Sequence, residues 1–298
     1  MNYSRENIPL VSIVIPTFNR GRKIKRAIKS CQNQTYRNIE IIVCDDHSTD
    51  ETCTIVDSIK DNDSRVILCH TEAGHKGANA ARNAGIKIAK GDYFCFLDSD
   101  DELTKDSIAV RVKIFEKDKD IGMVYGNAIL MQANRSYPVK YDDVPNEVDE
   151  AKKYLLMELS LCIQSSMMIR LTPYRAIGWL DEEQKGWTDD GVAVAVGTKY
   201  KVINCHEYVC IIHKSKISMT SNKENLAQGL EFLVNKYKKE IINTISYKRY
   251  CIWKLRIIYS KLYSYEQKCD VCLLKMVIYG IRVNIRKYLV KYYNHWFE

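Results

Sequence analysis

Four acids fall within five residues at Asp98, Asp100, Asp101 and Glu102, directly after the apolar run Tyr93-Phe94-Cys95-Phe96-Leu97. Carboxylates this close repel one another unless a cation or a set of donors compensates them. Hard divalent cations supply that compensation, and Mg²⁺ is typically held by one or two carboxylates together with substrate phosphates. A further acid pair stands in a similar setting, Asp45-Asp46 after the run Ile39 to Cys44. The plain alternative for each is a polar loop whose acids favour the first turn of the next helix. Position relative to the fold has to choose between the two.

The elements that would carry these acids can be read from periodicity. Val11-Ser12-Ile13-Val14-Ile15 is a β-branched first strand that runs into the turn Pro16-Thr17-Phe18-Asn19-Arg20-Gly21. Ile24, Ala27, Ile28 and Cys31 recur at helical spacing between Arg22 and Gln34. Ile39 to Cys44 is the second strand. Ser48-Thr49-Asp50-Glu51 has the form of a capping box, with Ser48 as N-cap of a helix running to about Lys60. Val66 to His70 is the third strand, Gly74 to Lys90 a loop passing into an Ala-rich helix, and Tyr93 to Leu97 the fourth strand. Strand and helix alternate throughout, which predicts a parallel α/β sheet. Three polar loops, Thr17–Asn19, Asp45–Asp46 and Asp98–Asp101, would then share its carboxyl edge, where open α/β sheets bind ligands. Beyond residue 103 the pattern is less regular. Ile121 to Met131, Ser166 to Arg170 and Lys201 to Asn204 read as strands, Cys210 to Ser218 as a strand entering a polar loop, and Val192 to Val196 as helix or strand.

Composition narrows the classes further. With 46% hydrophobic and 28% charged residues, 298 residues suffice for one large α/β domain plus an appendage. The eleven cysteines lie largely in apolar segments without paired zinc spacing, Cys269 and Cys272 standing apart in the basic tail; they read as reduced thiols of a cytoplasmic protein. The first residues, Met1 to Glu6, show no signal-peptide core, and no window is apolar enough for a membrane span. From Ser246 to Glu298 there are eleven Lys/Arg against three Asp/Glu, which accounts for the whole +8 excess. A nucleic-acid partner is therefore not expected of the α/β part. The composition shift places a boundary near residue 220, giving a domain over 1–220 and a basic, aromatic-rich helical region over 221–298.

Four ordered stretches carry a resemblance: Val-Ser-Ile-Val-Ile-Pro-Thr-Phe-Asn-Arg, Ile-Ile-Val-Cys-Asp-Asp-His-Ser-Thr-Asp, Ala-Arg-Asn-Ala-Gly and Phe-Leu-Asp-Ser-Asp-Asp. Their order and spacing resemble the family 2 glycosyltransferases of GT-A fold, of the kind that build bacterial surface polysaccharides. The likeness is close over residues 10–105 and looser to about 220. It implies a Rossmann-like, mostly parallel sheet flanked by helices, a UDP-sugar donor, Mn²⁺ or Mg²⁺, and transfer with inversion. It also implies a saccharide acceptor, lipid-linked in many relatives. Asp45 resembles the acid that meets the base, with Pro16, Thr17 and Asn19 walling the nucleotide pocket. Asp98 resembles the acid near the ribose and Asp100 the metal ligand on the diphosphate; spacing leaves open whether Asp101 shares the metal. Arg82 resembles a residue near the nucleotide, where its fork would suit phosphate oxygens; a surface salt bridge is the alternative. The element Thr188-Asp189-Asp190 resembles the family's Glu-Asp element, with Asp190 as general base and Asp in place of the usual Glu at 189. An N-capping role for Asp190 competes with that reading. His213 and Ser218 resemble part of an Arg-x-His-x-x-Ser-x-Ser element whose His can complete the metal site, although Ile211 and Lys216 depart from it.

The tail interleaves Trp253, Tyr259, Tyr263, Tyr279, Tyr292, Trp296 and Phe297 with lysines. Such helices suit the inner face of an anionic membrane, or a bundle with a solvated basic face. The competing functional class is a nucleotide-sugar-binding partner of a synthase complex that does not itself turn over. Residues selecting the donor sugar are expected between Met123 and Gln184.

Overall fold

A computed structural model describes residues 8–133, 135–214, 222–268 and 272–290. In chain order its elements are β1 (Val11–Thr17), α1 (Gly21–Gln32), β2 (Ile39–Asp45), α2 (Thr52–Lys60), β3 (Val66–His70), α3 (Ala78–Ile88), β4 (Tyr93–Phe96) and β5 (Glu102–Leu103). There follow α4 (Ser107–Phe115), β6 (Ile121–Gln132), β7 (Arg135–Val139), α5 (Val148–Glu158), β8 (Met167–Arg170), α6 (Leu171–Ile177), α7 (Thr188–Gly197) and β9 (Lys201–His213). Four helices come last, α8 (Lys223–Lys236), α9 (Lys238–Thr244), α10 (Tyr247–Lys268) and α11 (Cys272–Val290).

The sheet order is β3-β2-β1-β4-β8-β6-β9-β5, with β7 paired to β6. The first four strands are parallel, as the alternation predicts. Strand β8 then enters antiparallel to both β4 and β6. Because β2 and β4 flank β1 on opposite sides, the strand order reverses between β1 and β4, the position where such sheets open a crevice. Alternate residues of the parallel strands face opposite helix layers. Val11, Ile13, Ile15, Ile41, Val43 and Cys95 pack with Ile24 and Ile28 of α1, Val56 of α2 and Ile108 of α4. Phe94 meets Tyr174 of α6 edge-on across the other face. Each such fully buried side chain contributes about 1.5–3 kcal/mol, so the strands are pinned in register.

Two sequence expectations change. Ser48 does not cap α2: its hydroxyl donates to Asp45 and accepts from the Asn19 N–H, while Asp50 Oδ1 accepts from the Thr52 N–H at 3.0 Å. The segments Lys201–Asn204 and Cys210 onward are one strand, β9, held parallel to β6 through register shifts that absorb the irregular residues between them. Ser218, Tyr292, Trp296 and Phe297 lie outside the described residues.

The chain divides into two compact units, one of residues 1–155, 159–182 and 189–215, the other of 156–158, 183–188 and 216–298. In the second unit Trp253 of α10 is fully buried, stacked by the guanidinium groups of Arg249 and Arg256. Arg282 of α11 pairs with Glu266 at 2.6 Å beside the rings of Tyr259, Tyr263 and Tyr279. Among the described residues no helix is long and apolar enough to cross a membrane.

Gly85, in the Ala-Arg-Asn-Ala-Gly stretch, lets α3 approach the sheet. A Cβ there would lie 2.5 Å from Val14 Cγ1 and 2.7 Å from Cys44 Sγ. Gly85→Ala should therefore overpack α3 against β1 and β2 and cost about 1–3 kcal/mol despite the gain in helix propensity. A lower urea midpoint checks this; an unchanged midpoint would contradict the close approach.

Candidate functional site

The in-register pairing of the first three strands lines up Thr17, Asp45 and His70 as one rung at the carboxyl edge. Asp45 is 1% exposed and accepts from the Ser48 N–H at 2.8 Å and the Ser48 hydroxyl at 2.5 Å. His70 Nδ1 lies 3.5 Å from Asp45 Oδ2. Burial, then the charge of Asp45, pushes the neighbouring Cys53 thiol up to about 11. Thr17 Oγ1 is buried and has no partner among the described residues, a donor and acceptor left for a ligand. Asn19 adopts φ 51°, in the left-handed region that Asn tolerates. Its Oδ1 accepts from the Thr49 N–H at 2.8 Å, lacing the loop after β1 to the loop after β2. Pro16 sits opposite Cys44, one rung before the end of the β1–β2 ladder.

The acidic loop after β4 is organised around a buried carboxylate. Asp101 is buried and accepts from the Ser165 hydroxyl at 3.0 Å and the His213 N–H at 3.1 Å. Burial pushes its carboxyl up to about 8, and the charges of Asp98 and Asp100 add to the shift. Asp98 stands 42% exposed with Oδ1 taking a 2.8 Å hydrogen bond from Arg82 Nη2. Arg82 itself is buried in α3 beneath the acid, over the Phe96 ring, and its Nε finds no partner among the described residues. Asp100 accepts from Lys23 Nζ at 3.2 Å, and its carbonyl takes a 2.6 Å bond from Arg26. His213, expected to complete the metal site, lies against the acidic loop with its ring directed to Glu102. Its Nε2 lies 2.7 Å from Glu102 Oε1, because β5 and β9 pair antiparallel with Glu102 opposite Ile211.

The pair Asp189-Asp190 sits in the first turn of α7. Asp190 is buried, and its Oδ1 accepts from the Leu161 N–H at 3.1 Å, which ties it to a neighbouring segment. That segment continues into a 3-10 turn, Gln164–Ser166. Ser165 in the turn accepts from the Asp98 N–H at 3.2 Å as well as donating to Asp101. Residues 161–166 thus tie Asp190 to the acidic loop. Asp189 had no role from sequence. Burial pushes its carboxyl up, the charge of Asp98 adds to this and Arg82 opposes it, so Asp189 also lies within the field of the site. Ser165 and Gln164 were missed as well. Their signal was a polar run, Gln164-Ser165-Ser166, that is buried directly before an apolar strand; Gln164 Nε2 has no partner among the described residues.

The donor set suits a hard cation. Asp98 and Asp100 offer carboxylate oxygens that reach solvent, whereas Asp101 is already engaged and His213 is turned to Glu102. Two accessible carboxylates match the need of Mg²⁺ or Mn²⁺ bound jointly with phosphate oxygens.

Residues 12–178 match the family model described as Glycosyl transferase family 2. An Escherichia coli relative, the UDP-Glc:alpha-D-GlcNAc-diphosphoundecaprenol beta-1,3-glucosyltransferase, is 47% identical over 110 residues, 37% of this chain and 43% of that protein. The chain spans about half the length, or less, of the curated relatives it matches. Among solved structures, S. aureus TarS 1–349 in complex with UDP-GlcNAc superposes with a TM-score of 0.66 at 16% identity, over 93% of this chain and 81% of that one. A Pyrobaculum calidifontis mannosyltransferase with GDP-Man and Mn²⁺ gives 0.59 at 17% identity, over 96% and 84%. At such identities the two structures establish a shared GT-A-type fold.

The dual use of Ser165 has a measurable consequence. Ser165→Ala leaves the buried Asp101 carboxyl and the Asp98 N–H each short of a partner, at a cost of about 1–3 kcal/mol. Chemical denaturation reads that loss; a midpoint equal to wild type would show that the turn does not hold the loop.

Proposed function

The chain belongs to glycosyl transferase family 2, and on that premise we propose an inverting, metal-dependent transfer of a hexose or N-acetylhexosamine. The donor is a UDP-sugar and the acceptor a saccharide hydroxyl, carried on a lipid diphosphate during surface polysaccharide synthesis. One observation carries the reading: three parallel strands adjacent in the sheet, β2, β1 and β4, run to a single edge that carries Asp45, Thr17 and the Asp98–Asp101 loop. In this reading 1–220 is the catalytic domain. Asp45 accepts from the base, Thr17 supplies its unpartnered hydroxyl, and Pro16 and Asn19 hold the wall. Asp98 meets the ribose and Arg82 orients it. A Mn²⁺ or Mg²⁺ ion held by Asp100, with Asp98 beside it, would neutralise charge on the departing diphosphate. The acceptor hydroxyl is a poor nucleophile, so a carboxylate must take its proton as the sugar–phosphate bond breaks. Asp190 has that role, positioned by the Leu161 N–H. His213 is assigned no metal, since its Nε2 faces Glu102.

The E. coli relative's name specifies a diphosphoundecaprenol-linked acceptor, which supports the lipid-linked choice and a site of action at the inner face of the cell membrane. The helices of 221–298 expose Tyr265, Met276, Tyr279 and Ile281 among basic residues. We assign this region to peripheral contact with anionic lipid.

The test of the reading is UDP release from a panel of UDP-sugars, with and without lipid-diphosphate-linked saccharides. Acceptor-stimulated release from one donor fits the proposal. Binding of UDP without release from any donor and acceptor pair would favour the non-catalytic partner of a synthase complex. Within an active protein, Asp190→Asn should keep UDP affinity within about twofold and lower transfer by roughly 10²–10⁴. If Asp189→Asn shows that phenotype and Asp190→Asn does not, the base is Asp189, the acid that shares the field of Asp98 and Arg82.

A further inference from the structure

The base-facing rung holds a second kind of chemistry that the acidic loop lacks. Strand register sets Asp45 beside His70, and the first turn of α2 lays Cys53 over both. One ligand atom from each of Asp45, Cys53 and His70 lies within 4.8 Å of the other two. Among the described residues this is the group of three potential ligands that meets that criterion, and the Asp98–Asp101 loop is not part of it.

We propose that Asp45, Cys53 and His70 form an inhibitory site for a soft divalent cation of the zinc type. The donor set, one thiolate, one imidazole and one carboxylate, is the borderline-soft set that Zn²⁺ and Co²⁺ prefer and that Mg²⁺ does not. Three protein ligands leave the fourth tetrahedral position to water, the pattern of an exchangeable site rather than a structural one. Tetrahedral bonds of about 2.0–2.3 Å separate ligand atoms by roughly 3.3–3.8 Å, so closure takes about 1 Å of side-chain movement. On binding, the Cys53 proton leaves to solvent and the sulfur lone pair forms the new bond, with no change of oxidation state. The resulting thiolate and Asp45 carboxylate together balance the dication. Ser48, donating twice to Asp45, holds that ligand in place as outer-sphere donors do.

The consequence rests on the proposed nucleotide reading. Asp45 cannot hold a cation and accept a hydrogen bond from the base with the same lone pair. Zinc would then compete with the donor at the base end, while Mn²⁺ or Mg²⁺ serves at the diphosphate end. Opposite responses to two classes of metal would follow from one protein.

The experiment uses the full chain, reduced, freed of metal with a chelator and held in excess Mg²⁺ to occupy oxygen-only sites. Co²⁺ is titrated in and the near-ultraviolet thiolate-to-cobalt band recorded, followed by Zn²⁺. The proposal expects one band saturating at one equivalent and bleached by Zn²⁺. It expects no such band in Cys53→Ser, and His70→Ala to weaken Co²⁺ binding by at least about tenfold. In parallel, Zn²⁺ at about ten times its own Kd should lower UDP affinity of wild type by about tenfold, as competition for one site requires, and leave Cys53→Ser unaffected. No band in wild type, or a band that persists in Cys53→Ser, overturns the site. A band with undiminished UDP affinity overturns its inhibitory role. Failure of the zinc-free, Mg²⁺-loaded wild type to bind UDP removes the inhibitory role together with the nucleotide reading, and the cobalt band then decides the site by itself.

Discussion

The register of β1 against its two neighbours is the constraint on which the site depends. Val11 pairs with Ile39 on one side and Tyr93 on the other, so the three strands begin level; β1 and β2 end together at Thr17 and Asp45, while β4 ends at Phe96 opposite Val14 and hands over to the acidic loop. A slip of one residue would turn Asp45 from the α1/α2 face to the opposite face, because side chains alternate along a strand. The buried apolar residues on both faces prevent that slip. The same packing that stabilises the sheet therefore fixes which side chains look out from its edge. Gly85 serves this purpose too, since a close α3 puts Arg82 beneath Asp98.

Charge balance in the acidic loop is graded by depth. Asp101, the most buried, is satisfied by a hydroxyl and a backbone N–H from two distant segments. Asp98 has a buried guanidinium beneath it, and Asp100 a partly exposed lysine. Full neutralisation is not reached. Asp101 responds by holding its proton to higher pH, the direction expected when burial and like charges act together. A divalent cation at the exposed end of this gradient would complete the balance without rearranging the buried end.

The first four strands, their helices and Asp45 were legible because local patterning and tertiary packing agree there. Legibility fails where a side chain serves a distant partner. Ser48 has the spacing of a helix cap, yet its hydroxyl goes to Asp45, a buried carboxylate that needs donors more than the exposed helix end does. His213 follows its sequence position into the right neighbourhood, but pairing between β5 and β9 points it to Glu102. Ser165 contacts residues 64 and 67 positions away, a separation invisible to periodicity. The strand β9 was read as two because its middle carries His206 at φ 60° and a bulged register against β6.

The central claim is that the carboxyl edge binds a nucleoside diphosphate jointly with a cation held by Asp100. Calorimetric titration of UDP into the chain, in Mn²⁺ and in EDTA, tests it most directly when repeated on Asp100→Ala. The account predicts tighter binding with Mn²⁺ for wild type and loss of that gain in the variant. Equal affinity in Mn²⁺ and EDTA, or a gain that survives Asp100→Ala, would contradict it.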